Sequence, residues 1–204
     1  MPSGPDRFGV ADLYALSELV ATAWSSAGDR DWSVRAGSLE WTCMRTADHA
    51  VDCVWAPAFF LASRKRDGYP DVGPDMGLGA DAEPGRLVQS LEMATRVLGA
   101  VVRDADPDVR AILFRRPEIM VAPPEDFPPR AATELILHAH DVCSGLQVPF
   151  DPPTALCRRL RDHTRAWPMW TVAWDGLGST DDPWADLLTG SGRGRQSLNP
   201  SDSA

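Results

Sequence analysis

The stretch Arg130–Gly145, RAATELILHAHDVCSG, sets Glu134 and His138 four residues apart inside an otherwise apolar run. On an α-helix that spacing stacks both side chains on one face, one turn apart, and Asp141 continues the same face. Ala131, Leu135 and Val142 mark that face as inward-pointing. A carboxylate and an imidazole are thereby carried into a core, which is costly unless they are paired or bound to a metal. Any fold for this chain must therefore set a second core helix opposite this one.

Apolar residues at helical spacing predict the neighbouring helices. The first runs from Val10 to about Ala27, with Asp12 near its start and Gly28 closing it. A linker carrying Trp32 and Trp41 follows, and its two indoles are expected to plug the end of the helical assembly. Thr42 suits the cap of a second helix reaching about Arg64, with Pro57 in its middle and His49 about two turns in. A third helix is expected from about Gly85 to Asp104, with Leu87, Leu91, Ala94, Val97, Leu98 and Val101 in phase. An extended crossover with a strand-like piece at Ala111–Phe114 leads to Pro128 and Pro129, which suit the first turn of the fourth helix. Residues 152–167 read as a fifth, amphipathic helix, and Asp182–Leu188 as a short helical turn. The expected class is all-α, a four-helix bundle with a long crossover and an extra C-terminal helical segment, in one domain over residues 1–204. Residues 1–8 and 190–204 read as disordered, and residues 65–86, rich in glycine, proline and acidic groups, as a long loop that suits equally a lid or binding loop and a mobile insertion.

The net charge of −9 speaks against nucleic acid or an anionic membrane as partner. No apolar run approaches a membrane span, and the N-terminal residues lack the basic-then-apolar pattern of a secretory signal. The expected compartment is the cytoplasm. There the four cysteines, Cys43, Cys53, Cys143 and Cys157, read as buried thiols, because no C-x-x-C pair occurs among them.

Glu134 and His138 offer one carboxylate oxygen and one imidazole nitrogen from a single turn. A third ligand must come from a facing helix, and His49 is the best placed. Two histidines and one carboxylate form a known catalytic zinc set that leaves a fourth position open, although iron, nickel or manganese also accepts it. The same spacing equally suits a buried Glu–His hydrogen-bonded pair. His140 points to another side of the helix, and His163 lies among charges in RRLRDHTR and is expected to face solvent. Asp141 suits either an acceptor orienting a ligand histidine or a group solvating the helix end.

These residues in order resemble the DinB/YfiT-like superfamily, most closely its mycothiol-dependent maleylpyruvate isomerase-like branch. The likeness rests on the early helix, the Trp32–Trp41 linker, His49 eight residues past Trp41, RAATELILHAHDV with its E-x-x-x-H and following Asp, and the closing DPWADLLTGSGR. It covers roughly residues 10–193 and implies a four-helix bundle with a divalent metal, usually zinc, held by His49, Glu134 and His138. It further implies a thiol such as mycothiol, activated at the metal to attack or isomerise an electrophile. Arginines such as Arg45 or Arg130 are candidates for anchoring an acidic thiol. Larger members carry a further C-terminal domain that helps bind substrate, and this chain stops before one could form. A single lysine, Lys65, and a single asparagine, Asn199, beside abundant Ala, Gly, Pro and Arg, fit a GC-rich, actinobacterial coding sequence. The expected function is a zinc- and thiol-dependent transferase or isomerase acting on a small electrophile, with a second copy of the chain as a candidate partner in a homodimer. The alternatives are a non-catalytic metal- or ligand-binding bundle and a secondary-metabolism tailoring enzyme on the same fold.

Overall fold

In the computed structural model, residues 7–71, 77–79, 82–167, 170 and 179–193 are described. The chain divides into two units, Phe8–Asp151 and a second that includes the segment from Pro152 on. The first unit contains α1 (Val10–Ser26), α2 (Cys43–Ser63), α3 (Pro84–Asp104) and α4 (Phe127–Leu146). Between α3 and α4 lie strands β1 (Ala111–Phe114) and β2 (Met120–Ala122), followed by a single 3-10 turn at Pro124–Asp126. The second unit contains α5 (Thr154–Thr164) and α6 (Pro183–Gly190). The described residues are thus mostly helical, and no helix among them is long and apolar enough to cross a membrane.

Local chemistry accounts for the helix ends. The Gly9 amide donates to Asp12 Oδ2 at 3.1 Å, which fixes the start of α1. Thr42 caps α2 by accepting from the Arg45 amide at 3.2 Å. Prolines occupy the first turns of α3, α4 and α6, where a missing N–H costs nothing. Asp182 caps α6 by accepting from the amides of Trp184 and Ala185.

In the first unit α2 packs against both α4 and α3, and α1 against α3 and α4. Leu13, Leu16, Val20 and Trp24 of α1, Val51 and Val54 of α2, Leu87, Leu91 and Leu98 of α3, and Leu135 and Val142 of α4 fill the core. Each such leucine contributes about 2 kcal/mol of burial free energy. Val97, expected to face inward, is 38% exposed on α3. The crossover is a β-hairpin: Ala111 pairs with Ala122 and Phe114 with Met120, with an irregularity between Ile112 and Phe114. Phe8, expected to be disordered, is buried, and Gly190, expected to begin a disordered tail, ends α6. Residues 1–6 and 194–204 lie outside the described residues, as do 72–76, 80 and 81 of the 65–86 loop.

The linker between α1 and α2 folds over the C-terminal part of α4. Trp32 is buried edge-on against Trp24 and donates its indole N–H to the Ala27 carbonyl at 3.0 Å. Gly145 makes this approach possible, because a Cβ there would strike the Arg35 carbonyl oxygen and come within 2.6 Å of Cys43 Sγ. Gly37, in the left-handed region at φ 54°, brings the same linker against the Asp141 backbone.

Candidate metal centre

Helix α4 supplies the first two side chains by its own geometry. His138 Nε2 stands 3.5 Å from Glu134 Oε2, one turn along one face. On α2, His49 occupies the facing position, and its ring centroid lies 5.1 Å from that of His138. One ligand atom from each of His49, Glu134 and His138 lies within 4.8 Å of the others. Nitrogen and oxygen donors sharing one tetrahedral zinc stand about 3.3–3.6 Å apart, given bonds of roughly 2.0–2.2 Å. The Glu134–His138 edge already has that length. Small buried residues on the two helices, Ala47 and Ala50 on α2 and Ala131 and Ala132 on α4, suit the close packing that brings His49 across.

The surroundings set the protonation states such a site requires. Burial pushes the His49 pKa down and the neighbouring His138 pushes it further, which keeps its imidazole neutral with a lone pair to offer. Burial works against the Glu134 carboxylate. The hydrogen bond with His138 and the charge of Arg130 outweigh it and hold the pKa at about 2. Asp141, 3% exposed, places Oδ2 3.3 Å from His138 Nδ1. Nε2 of the same ring donates to Glu134. A cation taking the place of that proton would leave Nδ1 bonded to Asp141, the usual arrangement behind a metal-bound histidine. Asp141 is thus buried beside His138. The donor set fits a divalent cation in number and chemistry.

Groups around the ligands complete the site. Trp41 packs edge-on against His49 at 5.3 Å between centroids, and Arg45 lies 4.2 Å over the Trp41 ring. Of the two linker tryptophans, Trp32 is buried against Trp24, whereas Trp41 stands beside His49. Arg130 donates from NH1 to Glu134 Oε1 at 3.0 Å. Its guanidinium lies 4.7 Å over the Phe114 ring of β1. Cys53 Sγ stands 3.5 Å from His49 Nε2, outside the set of mutually close ligand atoms. Burial, with the charge of Glu134 beside it, pushes the Cys53 thiol up to about 12. Cys53, expected to be one more buried thiol, is only partly buried, unlike Cys43, Cys143 and Cys157. The signal for its place beside His49 was present, because His49 and Cys53 share the i, i+4 spacing used for Glu134 and His138. In the described part of the long loop the Leu78 amide donates to Asp48 Oδ1 of α2 at 2.9 Å. Beside that contact Trp32, Met44, Arg45 and Gly79 line a cavity of about 610 Å³. His140 is outside the cluster, and His163 belongs to the second unit, where its ring packs edge-on against Trp167.

Comparison with family models, curated proteins and solved structures gave no match for this chain. The functional reading therefore rests on the site itself.

Proposed function

We propose that the chain is a zinc-dependent transferase or isomerase that uses a low-molecular-weight thiol, with mycothiol as the favoured candidate, on a small electrophilic substrate. In this reading α1–α4 form a four-helix bundle of the DinB/YfiT-like kind. The carrying observation is the convergence of His49 from α2 with Glu134 and His138 from α4. A divalent cation held by His49, Glu134 and His138 would supply Lewis acidity, which favours the thiolate form of a thiol whose free pKa near 8.5 leaves little thiolate at neutral pH. The chain's own residues prepare that event. His49 stays neutral, Glu134 stays ionised, and Asp141 holds the His138 ring so that Nε2 faces the other two donors. Trp41 limits the access of water beside His49. A set of three protein donors is the number found in catalytic zinc sites, which would leave room for a thiol. Four free cysteines support a reducing compartment, and with it a cytoplasmic site of action.

The test is metal analysis of the purified protein beside its His138→Ala variant, followed by an assay for thiol-dependent loss of an electrophile. About one zinc per chain is expected in the native protein and a large loss in the variant. Equal, near-zero occupancy in both removes the proposal. Cys53 favours one second reading, a closed site in which its sulfur fills the fourth corner and no turnover occurs. Retained zinc without any thiol-dependent reaction would select it.

A further inference from the structure

Arg130 is only partly used by the protein. It sits one turn before Glu134 on α4, and its side chain is 13% exposed. Among the described residues, NH1 has a partner in Glu134 Oε1, whereas Nε is shut off from water and has none. The Phe114 ring beneath the guanidinium fixes its plane. A guanidinium offers five N–H donors in a rigid fork shaped for carboxylates. Holding such a cation out of water with a donor unmatched is costly, and a purely structural partner for Glu134 would not need that open donor.

Arg45, the other arginine near the site, differs in each respect. It is exposed to solvent and stacks on the Trp41 ring. Water already satisfies its donors, so it gains little from a ligand.

We propose that Arg130 anchors a carboxylate on the small molecule that enters the site, so that the site selects anionic ligands over neutral ones of the same shape. This inference rests on the metal reading above. Arg130 and His138 address the two oxygens of one carboxylate, Oε1 and Oε2 of Glu134. A ligand held at the three donors therefore has the guanidinium a short carbon chain away.

The experiment uses the full chain loaded with cobalt(II), whose thiolate absorption reports ligand binding without turnover. The probes are 3-mercaptopropionate and its amide, a matched pair differing in charge. The native protein should bind the carboxylate at least tenfold more tightly. Arg130→Gln should bring the pair to within about twofold, Arg130→Lys should keep part of the preference, and Arg45→Ala should keep all of it. A role confined to holding Glu134 would instead weaken both probes equally in Arg130→Gln and leave their ratio intact, which overturns the proposal. A second arm titrates 2-mercaptoethanol with and without acetate. Preference within the matched pair puts the carboxylate on the thiol itself. Acetate-enhanced binding that is lost in Arg130→Gln puts it on the co-substrate. Should Arg130→Gln fail to fold, the graded loss in Arg130→Lys decides. Cobalt uptake with no charge preference in either arm overturns the anchor alone, and no cobalt uptake overturns the metal reading and the anchor together.

Discussion

Replacing Glu134 by Gln in metal-free protein tests the electrostatics of the site apart from any catalysis. The Glu134 carboxyl is held at about 2, against its ordinary 4.5. Burial opposes this value, and the contact with His138 and the charge of Arg130 produce it. The gap corresponds to about 3 kcal/mol of stability at neutral pH, because the folded state favours the ionised form. A depressed carboxylate contributes fully above its unfolded pKa and loses that contribution as pH falls toward its folded pKa. The window thus opens just below pH 5 and closes near pH 2, with about 1 kcal/mol left at pH 3. Glutamine fills the same space and does not titrate. Urea unfolding in the presence of a chelator, at pH 7, 5, 4 and 3, should show the native protein losing about 2 kcal/mol more than Glu134→Gln between pH 5 and 3. Stability curves that stay parallel within about 0.5 kcal/mol would refute the reasoning. Glu134 would then gain nothing from its partners by being charged.

Three further outcomes follow from the geometry. Asp141→Ala should lower zinc affinity about 10- to 100-fold by freeing the His138 ring, read by competition with a chromophoric chelator, and unchanged affinity would deny Asp141 its orienting role. Gly145→Ala should destabilise the first unit by about 1–3 kcal/mol in thermal melts, since its new Cβ meets the Arg35 carbonyl and Cys43 Sγ. In the second unit, Asp186 is buried and takes hydrogen bonds from the Arg161 guanidinium at 2.6 Å and from the Thr180 amide. Arg161 keeps its contact with Asp162 at 2.8 Å, so Asp186→Ala should cost about 1–3 kcal/mol through the lost hydrogen bonds, and an unfolding midpoint unchanged in urea would contradict that.

The sequence displays what a helix fixes locally and conceals what packing decides. Periodicity placed α1 through α5 to within a few residues, and Thr42 announced its cap, because these features depend on neighbours along the chain. The second strand of the hairpin gave no such signal: Met120–Ala122 is three residues long and pairs through an irregular register. Val97 shared the phase of α3's buried row yet stands 38% exposed, because where a neighbouring helix ends its cover is a tertiary fact.

The site divides along the same line. Arg130, Glu134 and His138 repeat at four-residue intervals, as do His49 and Cys53, so each helix sets its own row of groups before any packing occurs. Periodicity cannot say which row meets which. That is settled by the packing of α2 against α4, with Gly37 and Gly145 admitting the α1–α2 linker, residues that carry no chemistry of their own. One consequence is that the two rows serve different ends. The face with three ligand atoms in mutual range is set to hold a cation, whereas Arg130 and Cys53 flank it, one with an open donor and one with a protonated thiol. What enters between them depends on which flank offers the better partner. A neutral buried thiol attracts no anion, and a fixed guanidinium does, so charge selection belongs to the Arg130 side of the site.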